Sequence, residues 1–145
     1  MITKNGPKVI EYNCRFGDPE TQVVLPLLES DLFEIMKHVA DGTLADAEVK
    51  FSENSACCVV MASEGYPQKY QTGFEITMPA DKNIYIAGAK LADGKLLSGG
   101  GRVLGVTETA ATLGEAIEKA YETVKTVNFE NAFYRKDIGK KAMEV

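Results

Sequence analysis

The stretch VIEYNCRFGDPETQ, residues 9–22, decides how this chain is read. From Lys8 to Phe16 apolar and polar residues alternate. Ile10, Tyr12, Cys14 and Phe16 fall on one side, and Glu11, Asn13 and Arg15 on the other. A period of two predicts a strand with one buried face and one polar face. Gly17 ends it. Asp18-Pro19-Glu20 then predicts a helix start, with Asp18 as N-cap, Pro19 in the first position and Glu20 in the first turn. The helix carries Val23, Val24, Leu27 and Leu28 on its apolar side, and Pro26 interrupts it.

Outward from this stretch the signals change in kind. Asn5-Gly6-Pro7 predicts a turn upstream. Downstream, Ser30 is expected to cap a second helix whose apolar positions are Leu32, Ile35, Met36 and Val39, closed by Asp41-Gly42. Residues 43–53 are polar, with weak periodicity, and read as a connector. Beyond them, ACCVVMA (56–62) predicts a buried strand, and Gly65-Tyr66-Pro67 a turn. Residues 74–77, 83–89 and 102–107 are further strand candidates. Asp93-Gly94, between Leu91 and Leu96-Leu97, predicts a hairpin. Thr112 and Glu115 form a capping box ahead of a stripe of Ala116, Ile117, Ala120, Tyr121, Val124 and Val127. The class is α+β: a strand and helices in 1–42, a connector in 43–53, and a small antiparallel β-rich domain with one packed helix in 54–145.

Composition narrows the function. The chain has 145 residues, 45% hydrophobic and 26% charged, which supports a packed core. A formal charge of −5 supplies no basic stripe for nucleic acid. No apolar run approaches the roughly 20 residues a membrane helix needs. Cys14, Cys57 and Cys58 lack metal-ligand spacing and suit a reducing, cytoplasmic setting. The single histidine, His38, has no partners in the sequence for a hydrolase triad or a zinc site.

Glu11-x-Asn13 is the most informative pair. Period-two spacing puts a carboxylate and an amide oxygen on one face, and both are hard ligands suited to Mg²⁺. Arg15 extends the row by an anion-binding guanidinium, about 13 Å from its start at strand rise. The same row also fits an exposed face of an edge strand. Asp18 has a cap role and, alternatively, a role facing substrate. Ser98-Gly99-Gly100-Gly101-Arg102 offers backbone N–H groups to an anion or, equally, makes a tight bend or bulge.

The run from Val9 to Gln22 closely resembles the E-[FY]-N-x-R-F-G-D-P-E-T-Q segment of the phosphoribosylamine–glycine ligase family, in the ATP-grasp superfamily. The resemblance continues through 55–63, Gly65-Tyr66-Pro67 with Tyr70 and Gly73, SGGGRVLGVT (98–107) and FYRKDIG (133–139). It implies that 1–42 is the last strand and helices of an ATP-grasp catalytic domain. It also implies that the domain after residue 53 is barrel-sandwich-like, akin to a rudiment single-hybrid motif. Glu11 and Asn13 would be Mg²⁺ or Mn²⁺ ligands at the phosphates of ATP. Arg15 and Asp18 would be catalytic, near the acyl phosphate, and Gly99, Gly100, Gly101 and Arg102 would be substrate-binding. The family joins glycine to 5-phosphoribosylamine through a glycyl phosphate, releasing ADP and phosphate, in purine biosynthesis.

The resemblance further implies that the chain starts well into the family's sequence. The expectation is therefore a C-terminal fragment, inactive alone, with apolar surface on residues 8–40 that favours self-association. The alternative is a free-standing, non-catalytic β domain acting as an interaction or regulatory module.

Overall fold

A nine-residue strand made of SACCVVMAS organises the protein. The computed structural model describes residues 1–144. A short hairpin, β1 (Ile2–Thr3) and β2 (Gly6–Pro7), turns at Lys4-Asn5, so the predicted turn residues Gly6 and Pro7 lie in its second strand. Helix α1 (Thr21–Val24) runs into a 3-10 turn at Leu25–Leu27 containing Pro26, where the sequence predicts an interruption. Helix α2 covers Leu32–Ala40. The larger unit follows: β3 (Ser55–Ser63), β4 (Ile84–Ile86), β5 (Ala89–Ala92), β6 (Lys95–Ser98), β7 (Arg102–Ala110), α3 (Leu113–Val124) and β8 (Ala132–Phe133).

The main sheet is antiparallel, in the order β4-β7-β3-β8, and β5 and β6 form a separate hairpin. At the tip of that hairpin, Asp93 and Gly94 both adopt positive φ, as a two-residue turn between twisted strands requires. Cys57, Val59 and Met61 of β3 lie directly opposite Glu108, Val106 and Leu104 of β7, so all six share one face. The Thr123 hydroxyl of α3 donates to Glu108 at 2.6 Å, which identifies that face as the one α3 covers. Val59, Met61, Leu104, Val106, Ala116, Ala120 and Val124 fill the space between and exclude water almost completely. The capping box forms as the sequence predicts: Thr112 accepts from the Glu115 N–H, and Glu115 accepts from the Thr112 N–H. Beyond α3, the Tyr121 hydroxyl donates to the Arg135 carbonyl and accepts from the Ile138 N–H, fastening the C-terminal segment.

The other face of the sheet carries Cys58, Gly105 and Thr107, and α1 lies beside β3 and β7. The connector returns the first part of the chain to this unit: Leu28 bridges Phe51, and Ser30 bonds the backbone of Glu48 and Lys50.

Four predicted features are corrected. Residues 8–16 form no strand. No described strand runs beside them to complete a ladder, and Ile10 and Tyr12, on the face expected to be buried, are 70% and 80% exposed. Asp18 is not an N-cap, because the helix begins at Thr21 and the Asp18 carboxylate is held by side chains. Asp31, not Ser30, caps α2, accepting from the N–H groups of Phe33 and Glu34 while Ser30 serves the connector. Residues 74–77 make only isolated bridges, at Glu75 and Thr77, because their backbone bonds are divided between β6, which takes Phe74 and Ile76, and Asn128 after α3, which takes Thr77.

Candidate active site

Between Phe16 and α1 the chain must turn sharply, and Gly17 with Asp18-Pro19 does so through a cis Asp18–Pro19 peptide. The Gly17 carbonyl then accepts from the Thr21 N–H at 2.9 Å, which starts the helix. This turn forms the floor of an open concavity lined by Asn13, Arg15, Phe16, Gly17, Asp18, Pro19 and Glu20. Three of the predicted site residues, Asn13, Arg15 and Asp18, are thus brought together. Glu11 is exposed and lies outside that lining.

Within the concavity the polar atoms are partly committed. The Asn13 amide donates weakly to Glu20 Oε2 at 3.5 Å, and its Oδ1 accepts from the Arg15 N–H at 3.3 Å. Among the described residues the Arg15 guanidinium hydrogen-bonds the Phe16 carbonyl, at 3.4 Å, and forms no ion pair, which leaves its charge to an anion. Asp18 is held most firmly. Gln22 Nε2 donates to one carboxylate oxygen at 2.9 Å, and Arg102 Nη2 pairs with the other at 2.9 Å. Arg102 Nη1 also donates to the Asp18 carbonyl at 3.2 Å. Burial pushes the Cys58 thiol above its ordinary range, and the negative charge of Asp18 adds to the effect, so a neutral thiol sits near this carboxylate.

As a metal site the donors fit in kind. Glu11 and Asn13 supply hard oxygens, as Mg²⁺ or Mn²⁺ prefers. They are few in number: among the described residues, no group of three or more His, Cys, Asp or Glu side chains converges to hold a metal. Such a pair suits an ion whose remaining ligands come from water, phosphates or other protein segments.

The glycine-rich bend has a packing explanation. A side chain on Gly101 would collide with the Tyr66 ring, and one on Gly88 would collide with the Arg102 carbonyl and lie 2.8 Å from the Gly100 backbone. Two chain segments therefore cross here at backbone contact. The Gly99 N–H is already used, donating to the Gly88 carbonyl at 2.7 Å. The Ser63 hydroxyl donates to the Gly100 carbonyl, and the buried Ser98 hydroxyl accepts from the Phe74 N–H. The bend delivers Arg102 to Asp18.

Gln22 and Glu20 belong to this site although the sequence reading passes over them. For Gln22 the local signal is its place four residues after Asp18, although Asp18 itself lies before the helix, which begins at Thr21. The Arg102–Asp18 contact spans 84 positions, and no local pattern announces it.

Comparison with known proteins agrees with both ends of this description. Residues 56–141 match the model for the phosphoribosylglycinamide synthetase C domain, and residues 1–21 match the model for the ATP-grasp (A) domain of the same enzyme. A phosphoribosylamine–glycine ligase from Clostridium acetobutylicum is 46% identical over 142 residues, covering 97% of this chain and 34% of that protein. The trifunctional purine biosynthetic protein adenosine-3 of Bos taurus is 48% identical over 149 residues, covering 99% of this chain and 15% of that protein. The crystal structure of phosphoribosylamine–glycine ligase from Thermotoga maritima superposes with a TM-score of 0.76 at 38% identity, over 95% of this chain and 35% of that one. The chain therefore spans about a third of its single-function relatives. No helix among the described residues is long and apolar enough to cross a membrane. With the C-domain match running over more than half of its length, the chain belongs to the phosphoribosylglycinamide synthetase family.

Proposed function

We propose that this chain forms one edge of the active site of a cytoplasmic ligase that joins glycine to 5-phosphoribosylamine at the expense of ATP. Residues 1–42 belong to the ATP-grasp catalytic domain, 43–53 connect, and 54–145 form the C-terminal domain in a barrel-sandwich-like arrangement. The observation that carries this reading is that the family matches at both ends of the chain meet where Arg102 pairs with Asp18, beside the packing of α1 on β3 and β7. Nucleic acid and membrane have no part in it.

In this reading Glu11 and Asn13 hold Mg²⁺ or Mn²⁺ against the phosphates of ATP. The ion's contribution when bound is to neutralise charge on the transferring phosphoryl group. Arg15 faces the developing charge of the acyl phosphate, where a fixed guanidinium stabilises the transition state more than the ground state. Asp18 orients the amine-bearing substrate. Gly99, Gly100, Gly101 and Arg102 border the substrate side.

The test places Glu11→Ala and Asn13→Ala in the complete ligase. Each is expected to lower glycine-dependent ADP formation and to raise the metal concentration needed for half-maximal rate. Normal rates at normal metal concentration in both variants would refute the metal assignment. The 145-residue chain by itself is expected to show no ligase activity and no micromolar affinity for Mg·ATP; a calorimetric titration with micromolar binding would contradict that.

A further inference from the structure

We infer that Arg102 is a positioning residue, which fixes the orientation of the Asp18 carboxylate from the opposite part of the chain. The guanidinium grips Asp18 twice, at carboxylate Oδ2 (2.9 Å) and at the main-chain carbonyl (3.2 Å). Gln22 takes Oδ1 at 2.9 Å. Donors on both carboxylate oxygens and on the adjoining carbonyl fix the plane of the group as well as its place, which the planar fork of arginine does and a lysine ammonium cannot.

The arginine is itself rigidly held. It is the first residue of β7, and the next two, Val103 and Leu104, are fully buried. Its carbonyl accepts from the Gly88 N–H at 2.9 Å, and Gly101 behind it lies against the Tyr66 ring. The residue it grips closes a segment of the reverse kind, since residues 8–16 have no strand partner among the described residues and are exposed. A fixed element thus locates the turn between that exposed segment and α1.

Magnitude separates this role from a merely structural one. The two side chains are 41% and 52% exposed. An ion pair that open to solvent contributes only about 0–1 kcal/mol to stability. Misplacing a reacting group by about 1 Å, in contrast, costs on the order of 100-fold in rate. Removing Arg102 should therefore move turnover far more than stability.

The inference rests on the assignment of Asp18 to the substrate side made above. The experiment compares Arg102→Gln and Arg102→Lys with the parent in the complete ligase, reading kcat, KM for glycine and for Mg·ATP, and melting temperature. In parallel, hydrogen exchange at residues 17–22 is followed in the 145-residue chain. For Arg102→Gln the expected result is a kcat lower by roughly 10- to 100-fold, with KM for Mg·ATP and melting temperature nearly unchanged and faster exchange at 17–22. Arg102→Lys should recover part of the rate, and added guanidinium should rescue Arg102→Gln in part. Parental kcat in Arg102→Gln, or a rate loss that tracks a large drop in melting temperature, would overturn the inference. A parent inactive with glycine would sink the functional reading instead. In that event the exchange data still decide: unchanged exchange in Arg102→Gln refutes the tether, and faster exchange upholds it.

Discussion

At the level of single residues, the sequence carries chemistry more clearly than contact. Glu11, Asn13, Arg15 and Asp18 are recognisable as polar, ligand-capable groups because their types and spacing say so. What each touches depends on residues far along the chain. Gln22 reaches Asp18 from the first turn of α1, only four residues on; Arg102 reaches it through the crossing of Gly88 with Gly100, which no local pattern encodes. Gly101 shows the same limit, since its small size answers to the Tyr66 ring and not to any turn signal. Gly101→Ala should therefore cost about 1–3 kcal/mol through overpacking, measured by urea unfolding. Adding Tyr66→Ala should relieve much of that loss, because the colliding ring is gone. Equal destabilisation in the single and double variants would mean that the ring is not what forbids the side chain.

Secondary-structure elements were legible wherever the chain supplies both partners of an interaction. β3, the β5–β6 hairpin, β7 and α3 all appear near their predicted places, since each has its neighbour within the same hundred residues. The alternation in 8–16 is as clear as that of any strand here, yet it yields none. Periodicity states which face a strand would bury and leaves open whether a neighbouring strand exists. The start of α1 departs from the prediction for a related reason: Asp18 has the right side chain for a cap, but Arg102 and Gln22 compete for it successfully. At α3 no competitor is present, and the capping box stands as predicted. Thr112→Ala should destabilise the protein by about 1 kcal/mol, read from chemical denaturation. An unchanged midpoint would show that the packing of α3 on the sheet sets its boundary unaided.

The molecule as a whole has one well-packed unit and one sparsely held arm. The buried hydrophobic core runs from Cys57 to Phe129, and every core position belongs to the larger unit. In the first forty residues Val9, Ile10, Tyr12, Phe33, Met36 and Val39 are exposed. Apolar surface of that extent favours association. Sedimentation of the 145-residue chain should show reversible, concentration-dependent self-association, weakened by Phe33→Ser with Met36→Ser; a strictly monomeric profile at high concentration would count against it.

The bridge between Leu28 and Phe51 and the grip of Arg102 on Asp18 act as two rivets along this arm. Under tension applied from the N-terminus the chain has unequal mechanical strength along its length. The rivets, with the packing of α1 on the sheet and the backbone bonds around Leu28, carry the first load, and each is small beside the sheet. The antiparallel seam of eight residue pairs between β3 and β7 bears force only after these have opened, so extension begins with a compliant stage before the sheet resists.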